Sequence, residues 1–377
     1  MIVLGFVSFL TDVSSEMVFA LLPFFMVDVL GISMSFVGLI EGAAESVSSF
    51  LRVFSGWFSD KTGKRKPLTA WGYFVSSISK PFFALATLPV HVLTVRISDR
   101  IGKGIRTPPR DALIADSIQP EVHGKAYGFH RSMDTFGAVL GPLLAFLLLP
   151  VLGYRNIFVV SVVPGLAAVL LFLKFVREGK VRKKEGSLTF RFSFKAFGFE
   201  FKLFLFIVAF FALANFSYAF FLLKAKEVGV TVYFAPLLYM VFNLTYALFA
   251  FPVGNLADRI GKKVVLGIGY MIFGLTCLGF IKAVSLVQAV FLFVLYGVFF
   301  ATVDTVQRAI VPDLVSPEIR GSAFGVYHTI MGGVTLPASL IAGTLWQFYG
   351  SDLPFIFGAT VGFISTILLF IFMRETR

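Results

Sequence analysis

Residues 56–65 read GWFSDKTGKR, and residues 254–263 read GNLADRIGKK, 198 positions later. A second stretch behaves the same way: 120–128 read PEVHGKAYG and 317–325 read PEIRGSAFG, 197 positions apart. Two motifs that recur in one order at nearly one offset make the chain a duplicated unit of roughly 190 residues. Long apolar runs fill both halves. A parallel duplication of membrane helices is the sequence pattern of one kind of secondary transporter.

Composition agrees with a bilayer. Hydrophobic residues make up 57% of the chain and charged residues 14%, where a soluble domain averages about 25% charged. Twelve apolar stretches are long enough to cross a hydrocarbon core, which takes about 20 helical residues. They are 2–27, 34–57, 67–87, 88–112, 125–150, 156–175, 201–223, 232–256, 263–282, 286–310, 322–345 and 353–373. Charges interrupt the fourth and the tenth. The expected fold class is an all-α integral membrane protein of twelve transmembrane helices in two pseudo-symmetric six-helix bundles. The bundles take residues 1–175 and 201–377, with a basic linker at 176–200 between them.

A net charge of +12 would suit a nucleic-acid partner, but its distribution argues against one. Lys61, Lys64, Arg65 and Lys66, then Arg177, Lys180, Arg182, Lys183 and Lys184, then Arg259, Lys262 and Lys263, then Arg320, and finally Arg374 and Arg377 fall in alternate loops. The intervening loops hold little more than Arg155, Lys224, Lys226 and Lys282. That is the positive-inside asymmetry, and it places both termini and the linker in the cytoplasm. The linker alternates phenylalanine with lysine and arginine, as a segment lying along an anionic leaflet does. Cys277 is the single cysteine, so neither an intrachain disulfide nor a thiol metal cluster is expected. The first residues lack a charged n-region and read as a retained helix.

Several motifs carry a family resemblance. Gly56-x-x-x-Asp60-Lys61-x-Gly63-Lys64-Arg65-Lys66 resembles the signature of the major facilitator superfamily between helices 2 and 3. Its second copy, Gly254 to Lys263 with Asp258 and Gly261, falls between helices 8 and 9, where that family repeats it. Arg100-x-x-x-Gly104 is similar to the family's helix-4 arginine motif. Gly137-Ala-Val-Leu-Gly141-Pro142 looks like the helix-5 motif of drug/proton antiporters, and GKGIRTPPRDALIADS (102–117) resembles a widespread prokaryotic subfamily. The resemblance implies a monomeric carrier in a prokaryotic plasma (inner) membrane. It would work by alternating access, exchange a small-molecule substrate for protons, and use the proton gradient with no cofactor or metal. A symporter or uniporter of an organic anion or nutrient, and a lipid flippase, are the rival readings. An enzyme would need a nucleophile–base pair or metal cluster that the chain lacks, and no G-x-x-x-x-G-K-[ST] suggests ATP drive.

The loop motif has a physical logic. Gly56 and Gly63 permit close packing and a chain reversal. Asp60, at a helix end, can accept hydrogen bonds from a helix N-terminus such as that of helix 11. Lys64 and Arg65 can pair with Asp111 or Asp116. Together these contacts would form a latch on the cytoplasmic side. The plainer alternative is a set of charges that fixes topology.

Charges at membrane depth are costly unless paired or hydrated. Helix 1 carries Asp12 and Glu16, helix 2 Glu41, Glu45 and Arg52, and helix 3 Lys80. Helix 4 carries Arg96, Asp99, Arg100, Lys103 and Arg106, and helix 5 Arg131 and Asp134. The second half is mostly neutral at the same depth: Asn215, Ser217, Tyr218, Tyr239, Asn243 and Tyr246, with Asp304 and Arg308 towards the end of helix 10. Proton coupling therefore belongs to the N-terminal half. Asp12, Glu16, Glu41, Glu45 and Asp134 are the candidate carriers, Arg96, Arg100 and Arg131 the charge partners, and Asp12 the preferred carboxylate. A static ion-pair network is the alternative. Asn215, Tyr218, Tyr239 and Asn243 would meet substrate in the other half, with Phe211, Phe216 and Phe242 as possible cavity lining. Thr107-Pro108-Pro109 is expected to end helix 4, and His328 to be a satisfied helix histidine.

Overall fold

The computed structural model describes residues 1–116, 123–178, 197–316 and 319–373, and among them every regular element is helical. The first helices are α1 (Ile2–Val29), α2 (Met34–Thr62), α3 (Arg65–Ser79, continued by the turn Lys80–Leu85) and α4 (Pro89–Asp116). A run over His123–Val160 changes direction at Gly153, where φ is 69°, a left-handed value that favours glycine. With Val162–Phe175 it makes α5 (123–152) and α6 (154–175). Next comes α7, in two pieces, Phe199–Ala212 and Tyr218–Glu227. The chain then forms α8 (Ala235–Ile260), α9 (Lys262–Lys282), α10 (Leu286–Ile310), α11 (Arg320–Tyr349) and α12 (Leu353–Phe372). The twelve helices match the twelve expected stretches.

Their outer surface is apolar: Trp71 is 64% exposed, Phe251 77% and Val151 81%. Helices hydrogen-bond their own backbone, so such a surface is stable against lipid. Among the described residues, seven stretches are long and apolar enough to cross a membrane, from Ile2–Val29 to Leu353–Phe372. The tenth expected span is among them as Leu286–Asp313, whereas charge-bearing α2 and α4 and the broken α7 are not.

The chain packs as two compact units, Met1–Ile32 with Ala43–Phe190, and Ser33–Gly42 with Arg191–Arg377. In the first, α1 lies against α5 and α6, and α3 against α4 and α6. In the second, α7 lies against α11 and α12, and α9 against α10 and α12. Adding six to each helix number converts one set into the other, so the duplication extends to packing.

The linking turns explain why the two repeated motifs differ in offset by one. Gly63 and Lys64 join α2 to α3, but Gly261 alone joins α8 to α9. Both glycines have positive φ, 68° and 103°, as the reversal requires. Past this turn the repeat runs at 197, and matched contacts follow. Arg65 Nη1 donates to the Ala112 carbonyl and Lys262 Nζ to that of Ala309, each at 3.3 Å. Lys66 Nζ donates to the Leu173 carbonyl and Lys263 Nζ to that of Phe370, each at 3.1 Å. Basic groups on carbonyls at helix C-terminal ends satisfy orphan acceptors and oppose the helix dipole.

One expectation fails at α4, which continues through Pro108 and Pro109 to Asp116. Pro109 has no N–H for the Ile105 carbonyl, but Ser55 Oγ from α2 donates to that oxygen instead. A replacement donor is what a proline inside a membrane helix needs. Ser55→Ala should leave the carbonyl unserved and cost about 1–3 kcal/mol, read as earlier thermal unfolding in detergent. Adding Pro109→Ala restores the native donor and should recover most of the loss. An unchanged melting curve in Ser55→Ala would count against the compensation.

The second unit has an aromatic core. Phe211 stacks on Tyr270 with ring centroids 4.0 Å apart, and Phe221 on Tyr296 at 4.2 Å. Phe211, Phe216 and Phe242 are all buried in it. They are core residues rather than the cavity lining expected of them, because offset aromatic pairs bury large areas at favourable geometry.

Candidate functional site

In the first unit, the helix-5 motif meets helix 1 at its carboxylates. A Cβ on Gly137 would lie 2.6 Å from the Phe9 carbonyl oxygen and 2.8 Å from Asp12 Cβ. A Cβ on Gly141 would lie 2.8 Å from Glu16 Cβ and 2.9 Å from the Val13 carbonyl oxygen. Small residues four apart let two helix backbones approach this closely. Pro142 follows within the same helix. Asp134, on α5, accepts from Ser8 Oγ of α1, and His130 Nδ1 stands 3.5 Å from its other oxygen. The charges acting most strongly on Asp12 are those of Asp134, Glu16, Lys103 and Arg106. Three carboxylates and two bases thus share one region of α1, α4 and α5.

Two further groups lie in the same unit. Arg100 Nη2 is 2.8 Å from Glu45, and the Arg96 and Arg100 guanidiniums lie 3.9 and 5.0 Å from the Phe19 ring centroid. Arg96 is fully buried, and a desolvated cation over an aromatic face is favourable. Lys80 Nζ stands 3.7 Å from Asp99, to which Ser76 Oγ donates at 2.7 Å. Lys80 and Asp99 are both sealed from solvent. Glycines again allow the approach, since a Cβ on Gly102 would sit 2.6 Å from the Gly72 carbonyl oxygen.

Not every nominated charge joins these groups. Arg131 is exposed. Glu41 is buried in the second unit, on the Ser33–Gly42 segment, where it accepts from Ser217 Oγ at 3.3 Å. At the loop motif, Glu178 accepts from the backbone N–H groups of Arg65 at 2.7 Å and Lys66 at 3.1 Å. It places a negative charge at the N-terminus of α3. Asp111 is held by Arg110 at 2.8 Å. A Cβ on Gly56 would meet Pro108 at 3.4 Å, and one on Gly254 would meet Thr305 at 3.7 Å, both ordinary contacts. Lys64 N–H turns back onto Thr62 Oγ1 at 3.4 Å, and Asp258 is exposed. The side chains of Asp60 and Asp116, and the linker over 179–196, lie outside the described residues.

The second unit carries a different site. Helix α7 is interrupted at 213–217, a break that a continuous apolar reading of 201–223 did not anticipate. The break brings Asn215 to a cavity of about 160 Å³. Helix α10 lines it with Phe299, Phe300, Asp304 and Gln307, and α11 with Tyr327 and His328. Asp304 accepts from Tyr246 OH at 3.0 Å and pairs with Arg308 at 2.6 Å. Buried Gln307 is held at both ends. Its Oε1 accepts from Tyr327 OH at 2.8 Å, and its Nε2 donates to Tyr270 OH at 3.0 Å.

Of the four neutral residues nominated in this half, Asn215 lines the cavity and the other three pack elsewhere in the unit. Tyr218 and Tyr239 have ring centroids 4.7 Å apart, and Asn243 Nδ2 donates to the Tyr239 carbonyl at 3.1 Å. Gln307 and Tyr327 escaped the sequence reading. Gln307 lies among Asp304, Thr305 and Arg308, and Tyr327 beside His328, so neither stood out from its own segment.

Comparison with known proteins agrees along the whole chain. The family model described as Major Facilitator Superfamily matches residues 4–223 and 203–377. An uncharacterized MFS-type transporter of Methanocaldococcus jannaschii is 41% identical over 374 residues, spanning 97% of this chain and 93% of that protein. The multidrug resistance protein MdtH of Photorhabdus laumondii is 31% identical over 127 residues, 34% of this chain and 31% of that protein. Among solved structures, the nucleoside transporter NupG superposes with a TM-score of 0.84 at 17% identity, covering 98% of each chain. A D-xylose-proton symporter gives 0.77 at 16% identity, covering 100% of this chain and 97% of its own. At such identities the likeness shows the fold.

Proposed function

Since the chain belongs to the major facilitator superfamily, and so is a multi-pass membrane transporter working by alternating access, we propose that it exports a small molecule in exchange for protons. The observation that supports this reading is the grouping of Asp12, Glu16 and Asp134 with Lys103 and Arg106 in the first unit. Neutralising one carboxylate there relieves repulsion from the other two, and ionising it restores attraction to the bases. Charge on Asp12 is thereby coupled to the packing of α1 against α5, which close at Gly137, where an added Cβ would lie 2.8 Å from Asp12 Cβ. Coupling a proton to a conformational equilibrium requires such differential interaction. The MdtH likeness over a third of the chain favours export, and the alternate-loop basic residues favour cytoplasmic termini in a prokaryotic plasma membrane.

Inside-out vesicles loaded acid-inside test the proposal. Adding a transported compound should release protons, reported by a pH-sensitive dye. Asp12→Asn should abolish that release while downhill exchange of the compound continues. Transport with no proton release would leave a uniporter, and loss of both modes in Asp12→Asn would make the carboxylate structural.

A further inference from the structure

The cavity of the second unit has a chemistry of its own. Asp304 and Arg308, 2.6 Å apart, offset one another's charge, and His328 is a further ionisable group of the lining. Gln307 offers something more specific. A carboxamide has two N–H donors and two acceptor lone pairs. One N–H serves Tyr270 and one lone pair serves Tyr327. One donor and one acceptor remain on a group that both tyrosines hold in place.

Asn215 adds a second carboxamide from the non-helical stretch of α7, and Phe299, Phe300 and Tyr327 supply flat apolar faces. A cavity of about 160 Å³ is close to the 150 Å³ engineered cavity that takes up benzene. It therefore accepts a single ring. A carboxamide held at both ends, with one donor and one acceptor unspent beside aromatic faces in a space of that size, suits a planar ring that carries both an N–H and a C=O.

We infer that this cavity binds neutral cyclic amides, lactam-like heterocycles whose N–H and C=O pair with the Gln307 carboxamide. The inference deepens the transporter reading by naming a substrate class, and it rests on that reading for its physiological meaning. Binding itself requires no gradient.

The experiment is calorimetric titration of the purified full chain in lipid nanodiscs with 2-pyridone, N-methyl-2-pyridone, benzoate and benzylammonium. 2-Pyridone should bind. N-Methylation removes the donor of the ligand, leaves Gln307 with an unanswered acceptor, and should weaken binding at least tenfold. Benzoate and benzylammonium should bind at least tenfold more weakly than 2-pyridone. Gln307→Met should abolish binding. Tyr327→Phe, which keeps the ring but releases one end of the carboxamide, should weaken it several-fold while the protein remains folded by thermal unfolding. Absence of 2-pyridone binding to folded protein, equal binding of its N-methyl analogue, or preference for either charged probe would overturn the inference. Binding of 2-pyridone with no compound-dependent proton release from vesicles would instead overturn the proton-exchange reading alone. Proton-coupled transport of other compounds with no lactam binding would leave that reading intact and sink this one.

Discussion

Asp99→Asn should abolish accumulation of folded protein. Asp99 accepts from Ser76 Oγ at 2.7 Å and faces Lys80 Nζ at 3.7 Å, with Lys80 fully buried. Lys80 Nζ also donates to the Ser76 carbonyl at 2.8 Å, so the ammonium keeps a hydrogen bond but loses its counter-charge. Leaving one partner of a buried ion pair alone costs roughly 3–5 kcal/mol, against a typical total stability of about 5–15 kcal/mol. Fully buried Arg96 lies close by and adds a like charge to the imbalance. The double change Lys80→Met with Asp99→Asn removes both charges and should restore most of the monodisperse protein on size-exclusion chromatography. If Asp99→Asn alone elutes and unfolds like the parent, the pair contributes nothing measurable to folding.

The second large effect belongs to the α1–α5 contact. Gly137→Leu should eliminate transport, and Gly137→Ala should reduce it at least tenfold while the protein still inserts and purifies. The added Cβ would lie 2.6 Å from the Phe9 carbonyl oxygen, and a backbone atom inside a helix cannot swing aside as a side chain does. Overpacking of this kind costs about 1–3 kcal/mol, and it is relieved by moving α1, which carries Asp12. Gly325→Ala is the matched control, because a Cβ there meets nothing within 4 Å. Vesicle uptake measured for the three variants decides the matter. Normal rates in Gly137→Ala would show that the close approach is dispensable.

Much of this was legible in the chain. The repeated loop motif placed the two helix reversals at Gly63 and Gly261, because a turn of one or two residues needs a left-handed backbone there. Hydrophobic runs placed all twelve helices, because lipid leaves a helix no alternative way to satisfy its backbone. The gathering of charge in the first half was visible from composition alone. Long-range pairings were not. Ser55 meets Ile105 from 50 residues away, and neither residue is unusual in its own segment. Glu41 shares one-face helical spacing with Glu45 yet belongs with the second unit, since spacing says which face a residue occupies and nothing about what covers it. The break in α7 falls in Leu213-Ala-Asn-Phe-Ser217, which has neither proline nor glycine to announce it. Gln307 becomes notable only when Tyr270 and Tyr327, 37 and 20 residues away, close on its two ends.

The hydroxyl of Ser55 on the Ile105 carbonyl has a consequence for how this lineage can vary. Proline at position 109 costs less while position 55 supplies a donor to the Ile105 carbonyl, and that donor gains its value there while position 109 is proline. The order of substitution then matters: a hydroxyl at 55 is neutral before the proline arrives and stabilising afterwards. Across descendants the two sites should change together, serine or threonine at 55 accompanying proline at 109. A lineage that regains an N–H at 109 should lose the hydroxyl at 55 by drift.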